Sequence, residues 1–432
     1  MTIKLYLCFI ISAILLAVSG NSIELQIFSL ILLALGACLE VKFDVYHPLC
    51  MYVGMFTLYC VAYPILHCMI PNIIFGYDRE TSICMWTALA VCIIILPKKR
   101  LIFSSNYDTS QYADYLPFLK KTTYLCSFIS YLTLIVIVVK GYSGKSQIYT
   151  EGGLFLNLSV RLLYYNLFFY TFYLIIFLGQ KIKIDKFWLT FNLFLYIAFG
   201  SITGERNFTF HSILVTGLLF FMFGILSKKS IPMLTVLGVV SLAASKVFKY
   251  YFLRGEASGE VTSDNLIILF LTSDFSSGGR NLQALVGRNT EGIFGIQSLV
   301  IDFSRIFFKV DDNQNTLRWF NDIIMPLYGY DGGGKGFTII GEGYVSMGII
   351  GIVIVMSMVA LFLRYLYLHS TRSAVSLALY IYMLPQCIYA SRQDMICIFS
   401  PFIKHALLGF ILLKFFKQIF VSPKKQKILL HK

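Results

Sequence analysis

The sequence predicts an all-α integral membrane protein: a polytopic bundle of about 12 transmembrane helices with one large external loop that contains an amphipathic helix. Three observations carry this reading. Of the 432 residues, 57% are apolar and only 13% are charged, where a soluble domain carries about 25% charged residues. The apolar residues fall into long runs, near the length of about 20 residues that crosses a hydrocarbon core as a helix. The basic residues gather at alternate joins between those runs, as the positive-inside rule requires.

The apolar runs cover 3–19, 23–40, 48–69, 82–97, 122–140, 161–179, 187–204, 209–226, 231–248, 338–362, 373–390 and 395–416. The first lacks the basic start and small-residue cleavage site of a secretory signal, so it reads as an uncleaved helix. Lys98, Lys99, Arg100, Lys120 and Lys121 follow the fourth run, and Lys181, Lys183 and Lys186 follow the sixth. Lys228 and Lys229, then Arg364 and Arg372, and finally Lys424, Lys425 and Lys427 fall on the same side. Both termini are therefore expected in the cytoplasm, and residues 249–337 outside it, as the large loop of a single polytopic domain spanning 1–432. The net charge of +14 is dispersed among apolar runs, which favours this orientation signal over nucleic-acid binding.

The large loop carries eight basic residues against ten carboxylates. Structureless loops of this length are usually functional or disordered, and its apolar content argues against disorder. Within it, Ile296, Leu299, Val300, Phe303, Phe307 and Val310 recur at helical spacing, with Asp302, Arg305 and Lys309 on the opposite face. This predicts an amphipathic helix on the outer membrane face, either walling a lipid-substrate groove or docked on the bundle.

The ten cysteines lie in or beside apolar runs without a CxxC pair, so they read as small packing residues, with no support for zinc or redox chemistry. No DxD, HExxH or GxSxG motif occurs in the large loop, and any catalysis there is expected to need no metal or cofactor.

Charges next to hydrocarbon are functional candidates, because each is costly to hold there unless paired or wetted. Four places on the external side qualify: Gly204-Glu205-Arg206-Asn207; the loop arginines Arg254, Arg280 and Arg288; Lys335 with Glu342; and Ser391-Arg392-Gln393-Asp394. Arginine forks bind phosphate oxygens bidentately, so Arg206, Arg280, Arg288 and Arg392, with Lys335, would suit a pyrophosphate. Alternatively, Glu205 and Asp394 simply neutralise Arg206 and Arg392 at their turns. The glycine run before Lys335 lacks the Ser or Thr of a P-loop; it could present N–H groups to an anion or act as a hinge. Glu342 could serve as a general base or cap its helix. Gly341 and Gly348, seven residues apart, would share a face open to another helix. His211, about one turn inside the eighth run, could take a proton or line a polar cavity, and the same alternatives hold for His67 and His405.

The segment Gly341-Glu342-Gly343-Tyr344-Val345-Ser346-Met347-Gly348-Ile349-Ile350-Gly351 resembles the Gly-Glu-x-Tyr entrance to a late span in Wzy-type O-antigen and capsular polysaccharide polymerases. Gly204-Glu205-Arg206-Asn207 is similar to the Gly-x-Arg turn of that family, and Ser391-Arg392-Gln393-Asp394 to its late Arg-Asp turn. The resemblance extends over most of the chain in topology and about twenty residues in motif. It implies a bacterial inner-membrane glycosyltransferase, independent of metal and inverting. Such an enzyme would act at the periplasmic face on two undecaprenyl-pyrophosphate-linked glycans, with a chain-length regulator as possible partner. It implies a role for Arg206, and less directly Arg392, in stabilising the departing pyrophosphate, and marks Glu342 as a motif residue. An O-antigen ligase shares this architecture; a lipid-linked oligosaccharide flippase shares the span count but would have short joins throughout.

Overall fold

The computed structural model describes residues 2–70, 76–101, 109–142, 148, 151–182, 185–203, 205–227, 268, 271, 274–308, 315–329 and 336–420. Among them every regular element is helical and no strand occurs. In chain order the main helices are α1 (Ile3–Val18), α2 (Ile23–Glu40), α3 (Pro48–Met69), α4 (Arg79–Ile95), α5 (Leu116–Val139), α6 (Gly153–Gly179), α7 (Lys186–Thr203), α8 (Arg206–Met222), α9 (Asp274–Val286), α10 (Gln297–Ser304), α11 (Ile339–His369), α12 (Ala374–Tyr389) and α13 (Ile396–Phe415).

Among the described residues, seven helices are long and apolar enough to cross a membrane, and two shorter apolar ones cover Ile3–Val18 and Asn207–Met222. Eleven of the twelve apolar runs coincide with helices. The remaining run, 231–248, lies outside the described residues, as do 249–267, 309–314 and 330–335 of the large loop. Described parts of that loop are themselves helical: α9 is buried along most of its length, and α10 follows it.

The chain divides into two compact units. The first comprises Met1–Phe103, Ser227–His369 and Leu384–Phe399. In it α1 packs on α2, α2 on α3, α4 on α11, and α9 on α3. Polar groups are turned inward: Ser12 and Ser29 each donate to the other's carbonyl at 2.9 and 2.8 Å, and Trp86 Nε1 donates to Ser12 Oγ at 2.7 Å. Ile3, Tyr6, Leu7, Ile10, Ile11, Ile14 and Val18 of α1 are exposed. Such a stripe is foreign to a water-facing helix and natural to one that faces hydrocarbon and meets its neighbours through small and hydroxyl residues. Gly36 allows that approach, since a Cβ there would overlap Cys8.

Helix ends in this unit are satisfied by side chains from distant parts of the sequence, because the orphan N–H and C=O groups of a buried terminus need partners. Gln283 of α9 accepts the backbone N–H of Asp78, the N-cap of α4, at 2.8 Å and the Thr81 hydroxyl at 2.6 Å. At the other end of α4, Lys98 Nζ donates to the carbonyls of Ile93, Ile94 and Leu96, and Arg364 Nη1 to that of Ile95. His47 caps α3 by accepting the Leu49 N–H at 3.1 Å; burial holds its imidazole at about 4, which leaves the ring nitrogen free to accept.

The second unit comprises Ser104–Leu226, Ser370–Met383 and Ser400–Lys432. Here α5 packs on α6 and α7, and α8 on α6 and α7. Ser127 donates to Asn192 at 2.7 Å and accepts from Asn166 at 2.9 Å, and Trp188 donates to Thr123 at 2.8 Å. Leu125, Phe128, Leu132, Ile135 and Val139 of α5 are exposed, the same inversion as in α1.

Candidate functional site

The first unit holds a buried cluster of acids around one arginine, assembled from three stretches of sequence. Its frame is α11, which is broken in two. Met347 (φ −149°, ψ 28°) and Gly348 (φ 61°, ψ −141°) are not helical, so residues 339–346 form a short half-helix and 349–369 a long one. Gly343 and Gly351 lie backbone to backbone across the break: a Cβ on either would overlap the main chain of the other. The carbonyls of Tyr344 and Val345, freed by the break, accept the N–H groups of Gly292 and Phe294 at 3.0 and 3.1 Å. Irregular backbone of this kind persists in an apolar setting where neighbouring protein re-satisfies it. Gly341 and Gly348 therefore do not form one helix-packing face, contrary to the sequence expectation; the close contact is Gly343 with Gly351.

The half-helix is buried on every side. Glu342 is fully buried; its Oε2 accepts the N–H of Met395 at 2.7 Å, and its Oε1 has no hydrogen-bond partner. Ser346 donates to the Glu342 carbonyl at 2.6 Å and shares a 2.7 Å hydrogen bond with Ser298 of α10.

α10 contributes the rest. Arg305 Nη1 lies 2.9 Å from Asp302 and 3.3 Å from Asp394, and Thr316 donates to the second Asp302 oxygen. Both aspartates are almost completely buried, while Arg305 is 18% exposed. Burial pushes the Asp302 carboxyl above the usual aspartate range, opposed by the Thr316 hydroxyl and Arg305. Against the cost of burial, Asp394 and Asp302 keep Arg305 firmly protonated. Arg305 thus serves two buried carboxylates at once.

The expected stripe is split: Leu299 is buried with the polar Ser298 and Asp302, while Ile296 and Val300 are 57% and 65% exposed. The helix is also shorter than the predicted pattern, ending at Ser304, and Lys309 and Val310 lie outside the described residues. Charges on a membrane protein's helix point to the interior, where partners are.

Arg392 belongs to the same turn as Asp394. Its carbonyl accepts the Phe337 N–H at 3.0 Å, and its guanidinium sits 5.2 Å from the Tyr389 ring centre. The expected neutralisation of Arg392 by Asp394 gives way to the Asp394–Arg305 pair. Arg280 is half-buried on α9, with Nε 3.5 Å from Asn281 Oδ1, and Arg288 is exposed with its guanidinium 5.0 Å above Tyr328. Lys335 and the glycine run before it lie outside the described residues.

Arg206 and His211 belong to the second unit. Arg206 is the first residue of α8. Glu205, just before it, accepts the Tyr164 hydroxyl at 3.3 Å. His211 is fully buried, its ring 4.7 Å from that of Tyr382. Among the described residues, no group of three or more His, Cys, Asp or Glu is placed to hold a metal ion, and the ten cysteines are free thiols.

Compared with family models, characterised proteins and solved structures, the chain matches none.

Proposed function

We propose that this chain is a polysaccharide polymerase of a bacterial inner membrane. In this reading it has 12 spans, both termini are cytoplasmic, and the large loop lies on the periplasmic side. It joins a growing glycan, carried on undecaprenyl pyrophosphate, to a new repeat unit carried on a second lipid. The observation that supports the reading best is that two segments resembling the polymerase motifs, 341–351 and 391–394, adjoin one another through the Glu342–Met395 hydrogen bond. Arg305 ties the second of them down by pairing with Asp394.

In the proposed reaction a hydroxyl of the new unit attacks the anomeric carbon of the growing glycan. The bond to the pyrophosphate oxygen breaks with inversion, and undecaprenyl pyrophosphate leaves as an anion. Arginines stabilise that charge where water is partly excluded; Arg206 and Arg392 hold this role by motif position, and Arg280, Arg288 and Lys335 by their place in the loop. The hydroxyl proton passes to a carboxylate, and Glu342 is assigned here because its Oε1 retains free acceptor capacity. His211 is the alternative proton carrier. The residues named supply acid–base and charge stabilisation without a cofactor.

Deleting the gene and separating the surface glycolipid on a gel tests this reading. Loss of the ladder with one repeat unit left on the core supports a polymerase. Bare core with polymer accumulating on the carrier lipid would mean a ligase, and bare core with single units trapped in the cytoplasm a flippase.

A further inference from the structure

The second unit has its own concentration of cations inside apolar helices, which the scheme above does not use. Lys404 and His405 of α13 lie in a π-helical turn, Phe402–Leu407, directly after Pro401. Proline removes an N–H donor and loosens the regular ladder; π turns inside helices are frequent at functional sites. The His405 ring stacks on Tyr164 (centroids 4.8 Å apart, planes at 9°) and meets Tyr165 edge-on at 5.4 Å. Its Nδ1 is buried with no hydrogen-bond partner.

One turn before Tyr165 on α6 stands Arg161, and Lys404 directly precedes His405 in the π turn. Lys404 is eight residues into Ile396–Phe415, about 12 Å along the axis, and Arg161 opens the apolar run 161–179; both are exposed. Neither forms an ion pair among the described residues. The Tyr164 hydroxyl, on the ring that stacks on His405, donates to Glu205 at 3.3 Å. Cations beside hydrocarbon are costly unless they meet a counter-charge, and two of them next to one imidazole suit an anion with several acceptor oxygens.

We propose that Arg161, Lys404 and His405 form a binding site for the phosphate or pyrophosphate headgroup of a membrane lipid. Arg161 supplies a planar fork and Lys404 a point charge, while the His405 ring, packed on the two tyrosines, backs the site. Both cations lie on helices apolar enough to cross a membrane, so the acyl or prenyl chain would lie along their exposed apolar faces. This inference goes beyond the glycosyl-transfer reading and stands without it; within that reading, the site would hold a substrate's carrier headgroup.

The test is lipid binding to the full-length protein in phosphatidylcholine nanodiscs, with phosphatidic acid as probe and inorganic pyrophosphate as competitor. The wild type is expected to take phosphatidic acid in preference to phosphatidylcholine. Arg161→Gln and Lys404→Gln should each weaken that binding about tenfold, the effect of one lost charge-assisted hydrogen bond, and Lys404→Arg should restore most of it. Lys414→Gln, a cation ten residues further along the chain and stacked on Phe410, should leave it unchanged. Pyrophosphate should displace the lipid from the wild type, placing recognition in the headgroup. Unaltered binding by Arg161→Gln and Lys404→Gln, an equal loss in Lys414→Gln, or indifference to pyrophosphate would each overturn the proposal. A deletion strain that keeps its glycolipid ladder would remove the polymerase reading and leave this result intact.

Discussion

Glu342 Oε2 and the backbone N–H of Met395, 53 residues apart in sequence, are joined by a 2.7 Å hydrogen bond at a fully buried position. Truncation and isosteric replacement of Glu342 therefore separate its two roles. Glu342→Ala leaves the Met395 N–H unsatisfied and should destabilise the protein by about 1–3 kcal/mol. Glu342→Gln keeps an acceptor oxygen for that N–H and should melt close to the wild type in detergent. If Glu342 accepts the reaction proton, Glu342→Gln should nonetheless make no polymer, and a normal ladder would confine the residue to structure.

Arg305 neutralises two buried aspartates, and removing it should cost far more than a surface ion pair. Arg305→Met leaves Asp302 and Asp394 without their cation, a loss on the order of 3–5 kcal/mol. The pH dependence follows from Asp302. Its folded-state value lies above the ordinary aspartate range because of burial, so the stability linked to its protonated form is fully present below about pH 4. It is lost as pH rises through the raised value. Arg305→Met deletes a group that opposes the rise, so acidification from neutral pH should recover part of its melting temperature. The double variant Arg305→Met with Asp302→Asn should show a smaller recovery, and equal recovery in both would separate Asp302 from the effect.

The break in α11 rests on a conformation that favours glycine. Gly348 has φ 61° and ψ −141°, and a Cβ there would overlap the Glu291 carboxylate. Glu291 can swing aside, so the backbone supplies most of the strain, and Gly348→Ala should destabilise by about 1–3 kcal/mol. Gly54→Ala in α3, where the added Cβ meets nothing within 4 Å, should be neutral or mildly stabilising. Thermal melting of the two variants side by side distinguishes local strain from a general intolerance of substitution.

These results mark what the sequence could disclose. Apolar length placed eleven helices, because burial in hydrocarbon needs nothing more than a long enough run. The break at Met347-Gly348 was invisible, since Ser346-Met347-Gly348-Ile349 sits inside a continuous apolar run and its carbonyl partners come from Gly292 and Phe294. The Asp302–Arg305 spacing was visible, but its direction was not. In water an i,i+3 ion pair opposite an apolar stripe faces solvent; here Asp302 is fully buried and the apolar stripe is largely exposed. Glu342 stands out in the sequence as a carboxylate at the start of an apolar run, while its partner, a backbone N–H after the 391–394 turn, carries no side-chain signature.

Burial also decides how the orientation should be tested. Ser276 lies mid-segment in the expected external loop, yet it is 4% exposed on α9 and a poor site for labelling. Ile293 is 51% exposed in the turn that binds the broken helix. With the native thiols replaced, a cysteine at 293 should react with an impermeant maleimide in intact cells whose outer membrane is permeable to it. Reaction only after the inner membrane is opened would reverse the topology.

The last prediction concerns Arg206, the first residue of α8. At that position the helix N-terminus adds its own partial positive charge, which suits an anion. Arg206→Ala should therefore leave protein abundance unchanged and abolish polymer, while Arg206→Lys should restore only part of it, because a point charge cannot reproduce a planar fork. Glu205→Gln serves as the control: it keeps an acceptor for the Tyr164 hydroxyl and removes the neighbouring negative charge. Polymer retained by Glu205→Gln and lost by Arg206→Ala would assign the need for charge to the arginine. A normal ladder from Arg206→Ala would take that residue out of the site and leave the first unit's cluster to be judged by Glu342→Gln alone.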